Sequence, residues 1–160
     1  MYKEPLVPAD FTVPLVLETE HMRLRPLTIN DVVKDFEAVV TSEARLLDVF
    51  QMPGGWPLGL TLEQNLIDAG WHQAEFQRRT SFAFTVVSLD ESEVLGCMYI
   101  YPTDKPDYDA QIYMWVRHSR ADDGLDQHLF ETVEQWIGND WPFTNPAYPS
   151  RRISLQEWRA

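Results

Sequence analysis

The chain has 160 residues, 44% hydrophobic and 24% charged, which is the composition of an ordinary globular domain and not of a disordered or fibrous one. Its formal net charge of −12 sets it against phosphate backbones and anionic lipid, so nucleic-acid and membrane roles are disfavoured. Cys97 is the only cysteine, which rules out an intrachain disulfide and a zinc cluster built from thiolates. No apolar run approaches the ~20 residues that span a bilayer, and the first residues do not read as a secretory signal. The expected location is the cytoplasm.

Residues 1–14, with three prolines, read as an extended arm. Met22, Leu24 and Pro26 then alternate with Arg23 and Arg25, the period of a half-buried strand that ends at Pro26 or lies on an edge. Asn30 is the expected N-cap of a helix carrying Val32, Val33, Phe36, Val39 and Val40 at spacings of three and four. A second short helix is predicted from Ser42 to Phe50, and the Met52–Pro57 stretch breaks it. Thr61 and Gln64 form a capping-box pattern that opens a long helix running to about Arg79.

Ser81–Ser88 and Val94–Tyr101 read as a hairpin around Asp90–Glu93, and Ala110–Val116 as the third strand of a meander. In that strand Ile112, Met114 and Val116 share one face, while Gln111, Tyr113 and Trp115 share the other. A helix follows from Gly124 to Ile137, with Leu125, Leu129, Val133 and Trp136 on its apolar stripe. Residues 139–160 read as an irregular aromatic tail, with Arg152–Trp158 a candidate last strand. The fold class expected is α/β (α+β): one domain over 1–160 with a mixed, mostly antiparallel sheet flanked by helices.

Three stretches in this order resemble the GNAT (GCN5-related N-acetyltransferase) superfamily, in its ribosomal-protein N-acetyltransferase-like branch. Leu17–Leu27 is similar to the first-strand signature of that branch. Val94-Leu95-Gly96-Cys97 resembles its strand of two hydrophobic residues and a glycine. Tyr113-Met114-Trp115-Val116-Arg117 resembles the central strand that precedes the cofactor loop. The resemblance covers about Leu15 to Ile137, and it implies transfer of an acyl group from acetyl-CoA to an amine, either a small amine or a protein N-terminus. It also implies that Met114, Trp115 and Val116 line the pantetheine arm through backbone groups, and that the loop and helix start after them bind the pyrophosphate through peptide N–H groups.

The matching loop is Arg120, Ala121, Asp122, Asp123, Gly124, Leu125 and Asp126. It departs from the family's pattern: the leading basic residue falls on Ala121, the first glycine on Asp122 and the last small residue on Asp126. At ~6 Å and an effective dielectric near 20, each carboxylate costs roughly 3 kcal/mol against one phosphate charge. An aspartate at a helix start also caps it, worth about 0.5–2 kcal/mol. Two readings of the loop stay open: a pyrophosphate cradle, or a helix that satisfies its own N–H groups.

Among candidate catalytic groups, the position that holds an acid in part of the branch carries Gln111, which takes no proton. Asp109, two residues earlier, is the candidate base, and Tyr113 the candidate donor to the departing thiolate. The histidines show no metal spacing, and the chemistry requires no metal. Cys97 has no activating neighbour in sequence and reads as buried structure. Two functions follow: an acyl-CoA-dependent N-acyltransferase, or a catalytically silent GNAT-fold binding or assembly module. Trp141, Phe143, Tyr148 and Trp158 need cover, which motivates the expectation of a homodimer.

Overall fold

The computed structural model describes Tyr2 and residues 4–160. Its elements are β1 (Leu17–Glu18), β2 (Arg23–Pro26), α1 (Val32–Val40), α2 (Glu43–Phe50), α3 (Leu62–Arg78), β3 (Phe82–Val87), β4 (Val94–Tyr101), β5 (Ala110–Val116), α4 (Leu125–Asp140), β6 (Pro146–Ala147) and α5 (Leu155–Arg159). One sheet takes the strands in chain order. All neighbours are antiparallel except β5 and β6, which run parallel and pair only at Ala110↔Pro146 and Gln111↔Ala147.

The period-two pattern places the core. Phe82, Phe84, Met98, Ile112, Met114 and Val116 face α4, whose Leu125, Leu129, Val133 and Trp136 close that side. On the opposite face Cys97 and Trp115 pack against Ala38 and Val39 of α1 and Leu46 and Phe50 of α2. The N-terminal arm joins the first layer: Val7 is buried there, and Leu6 N–H donates to Arg79 O.

The local signals differ from expectation at three points. Thr28, not Asn30, opens the first helical turn: its hydroxyl accepts from Asn30 N, and Asp31 accepts in return from Thr28 N. Asp31 also accepts two bonds from Arg25, which anchors this turn to β2. Thr61 caps α3 by accepting from Gln64 N, but the Gln64 side chain donates forward to Asp68 at 2.9 Å instead of back to Thr61. The tail is not irregular: it adds β6, and the stretch expected as a strand forms α5, started by a reciprocal Ser154/Glu157 capping box. Trp141, Tyr148 and Trp158 are buried within the chain itself, so their exposure does not call for a partner subunit.

Candidate functional site

Because β6 pairs with β5 only over its first two residues, β5 beyond Gln111 presents a free edge. Two arginines occupy that edge. Arg45 Nε, from α2, donates to Val116 O at 3.1 Å, and Arg151 Nη2, from the segment after β6, donates to Met114 O at 3.3 Å. Asp126 in the first turn of α4 holds both. Its carboxylate takes a bidentate pair from Arg151 at 2.5 and 2.9 Å and lies 3.7 Å from Arg45 Nη2. Planar fork-to-carboxylate pairing fixes both guanidinium groups in position.

The helix start beside this edge is capped from within. Gly124 adopts a left-handed φ of 85°, and Asp123 accepts the N–H of Leu125 at 3.1 Å. Arg120 pairs with Asp123 and holds its carboxyl below the usual range, so the cap is ionised at neutral pH. Ala121 lies in the turn, and Asp122 is exposed. The groups that the resemblance assigns to acetyl-CoA therefore do not fit it as they stand. The carbonyls of Met114 and Val116 are engaged, one helix N–H is satisfied internally, and the loop and first helical turn carry Asp122, Asp123 and Asp126, the last two paired with arginines.

The other face of the sheet carries an open cavity of about 560 Å³ between α1, α3 and β4 to β5. That is the size of a small-molecule site. Its wall is aromatic. Tyr99 and Tyr101 stack at 5.7 Å, Tyr101 meets Tyr113 at 6.1 Å, Tyr113 meets Phe50 at 6.3 Å, and Phe50 meets Trp56 at 6.1 Å. The alternation of β4 and β5 produces this wall, since residues 99, 101 and 113 all point to one face.

Asp35 of α1 lines the same cavity and is only 6% exposed. It accepts from Asn65 Nδ2 at 2.9 Å and from Cys97 Sγ at 3.4 Å. Burial pushes its carboxyl up, and the nearby charges of Asp31 and Asp68 push the same way. Burial also raises the Cys97 thiol well above its ordinary range, which keeps it an inert donor. His72, ring to ring with Tyr99 at 5.4 Å, has its pKa lowered by burial and stays neutral at pH 7.

The raised Asp35 pKa has a sign for stability. A carboxyl whose folded pKa lies above its unfolded value is neutral and harmless in acid, and becomes a penalty as pH rises through the folded value. Asp35→Asn keeps the acceptor for Asn65 and removes the charge. Thermal melts across pH 4 to 8 are expected to show the variant gaining on the parent as pH rises. A gap that is constant or reversed over that range would refute the assignment.

Of the residues singled out from sequence, Tyr113 lies in this cavity, and its hydroxyl donates to Gln111 Oε1 at 2.7 Å. Gln111 is itself fixed by Pro102 O and by the Trp158 indole. Asp109 is elsewhere. It accepts from Thr144 N, Thr144 Oγ1 and Asn145 N, and so holds the turn that leads into β6. The structure does not bring Asp109 and Tyr113 together around one cleft. Trp115 is buried under α1 and α2, and its indole donates to Tyr99 OH at 3.1 Å. Sequence reasoning missed Asp35, Asn65, Tyr99, Tyr101, Arg45 and Arg151. A buried-face acid in α1, one residue before Phe36, was the only local hint.

Among the described residues, no group of three or more metal-binding side chains comes together, and no helix is long and apolar enough to cross a membrane. No family model matches the sequence, and no curated protein matches it. Solved structures do resemble the fold. A ribosomal-protein-S5-alanine acetyltransferase from Vibrio fischeri shares 17% identity at a TM-score of 0.55, covering 78% of this chain and 67% of that one. A ribosomal L7/L12 alpha-N-protein acetyltransferase in complex with coenzyme A shares 14% at 0.60, covering 76% and 67%. The microcin C7 self-immunity acetyltransferase MccE, in complex with acetyl-CoA and AMP, shares 10% at 0.61, covering 76% and 64%. Strand order, the short parallel β5–β6 pair and these likenesses agree: the chain has the GNAT fold of the N-acetyltransferases.

Proposed function

We propose that this chain is a catalytically silent GNAT-fold binding module, in which the acyl-CoA groove is sealed by the protein's own side chains and the aromatic cavity on the opposite sheet face is the working cleft. The observation that carries this is the Arg45–Asp126–Arg151 cluster on the free edge of β5. The chemistry of acyl transfer needs the thioester held against that strand, and its carbonyls are bonded to arginines. Breaking the cluster leaves a charge without its partner beside the core, which disfavours an easy opening.

The acyltransferase reading rests on the fold, and fold alone does not carry activity. Calorimetry separates the two. Coenzyme A titrated into the protein at millimolar concentration is expected to give no binding heat and no thermal shift. Micromolar binding would restore the acyltransferase, with a small amine or a protein N-terminus as acceptor. The double variant Arg151→Ala, Asp126→Gly removes the paired arginine and carboxylate together, clears the Met114 carbonyl without leaving either charge of that pair alone, and is expected to bind coenzyme A detectably where the parent does not. If the double variant stays as blind to coenzyme A as the parent, the sealing account of this groove is wrong.

A further inference from the structure

The cavity is lined largely by aromatic rings, with two carboxylates among them. Five aromatic rings line it in series from Tyr99 to Trp56, and ring faces present negative charge. Asp35 at its base has no cationic partner among the described residues, although its two oxygens accept from Asn65 and Cys97. Asp68 adds a second carboxylate to the lining. Arg159, the arginine of the described lining, is held away from the two carboxylates by bonds to Phe50 O at 2.7 Å and Gln51 O at 3.0 Å. His72 is neutral. Among the described residues the lining therefore holds two carboxylates against the single guanidinium of Arg159, and no group of three or more metal-binding side chains comes together.

We infer that the cavity binds an organic cation bearing a quaternary ammonium group, seated against the Tyr99–Tyr101–Tyr113 wall with Asp35 as its counter-ion. The inference rests on the reading of this cleft as the working site. A primary ammonium needs about three acceptor lone pairs, one for each N–H donor. The rings offer none, and Asp35 already serves two donors. A quaternary head has no N–H donors to satisfy and gains from ring faces directly. Such a group also has no nitrogen that could be acylated, consistent with a ligand that is bound and not transformed.

Choline is the probe, with two comparisons: its neutral carbon isostere, in which carbon replaces nitrogen, and ethanolamine. Calorimetry is expected to show choline binding at least about tenfold tighter than the isostere and than ethanolamine, the size of a desolvated cation–ring contact. Asp35→Asn and Tyr101→Leu are each expected to weaken choline by about tenfold or more. Asp35→Asn is the decisive variant, because it is expected to fold at least as stably as the parent at pH 7. Equal affinity for the isostere, tighter binding of ethanolamine, unchanged binding by Asp35→Asn, or no heat at millimolar choline would each overturn the inference. The coenzyme A titration is separate: coenzyme A binding would defeat the sealed groove without touching the choline result.

Discussion

Gly96→Ala is expected to lose several kcal/mol of folding stability, enough to threaten a domain whose total is about 5–15 kcal/mol. Gly96 lies opposite Val116 in the β4–β5 ladder. A Cβ placed on it would sit 1.9 Å from the carbonyl oxygen of Trp115 and 2.9 Å from its carbon. Both are backbone atoms, so no side-chain rotation relieves the contact. The strands must separate, and with them go the Arg117 N–H bond to Leu95 O and the seating of Trp115 under α1 and α2. A glycine within a strand often marks such close approach of another backbone. Urea denaturation of the variant reads the loss directly. A midpoint that matches the parent's would mean the two strands are not so close.

Arg117→Met should be the second costly change, by about 2–3 kcal/mol. Arg117 follows β5 and is 6% exposed. Its guanidinium gives a bidentate pair to Glu37 at 2.6 and 2.8 Å, bonds Val94 O at 3.1 Å and Ser119 Oγ at 2.9 Å, and lies 3.2 Å from Glu93. The partners are not equal. Glu37 and Glu93 have half-exposed side chains and return to water when the arginine goes, so they add little to the cost. The carbonyl of Val94 belongs to a buried residue and loses a donor, which sets the magnitude.

The pH dependence follows from Glu37, whose carboxyl Arg117 holds below its usual range. That contribution is present above the ordinary carboxylate pKa and is lost as pH falls through the depressed one. The gap between parent and Arg117→Met should therefore narrow in acid. A gap that widens between pH 7 and pH 3 would contradict this account of Arg117.

The sheet and its helices were legible because their signals are local. Alternation in 82–87, 94–101 and 110–116 gave the strands, and three-four spacing gave α1 and α4. The tail is less legible because Arg152–Trp158 alternates weakly, and the signal that decides it is the Ser154-x-x-Glu157 cap, the same pattern that Thr61 and Gln64 carry. Asp126 was identified as hostile to a diphosphate, but its partners Arg45 and Arg151 lie far along the chain and no spacing rule joins them. The cleft was invisible for the same reason. Asp35, Asn65, Tyr101 and Tyr113 come from four elements, and only the packing of α1 and α3 on β4 and β5 gathers them.

Tyr2 and Arg159 border one cavity: the Tyr2 ring stands 6.2 Å from Tyr101, and Arg159 is tied to the C-terminal end of α2. Two side chains far apart in sequence thus share one rim. Replacing either one reshapes the mouth of the cavity without touching the sheet that forms its floor.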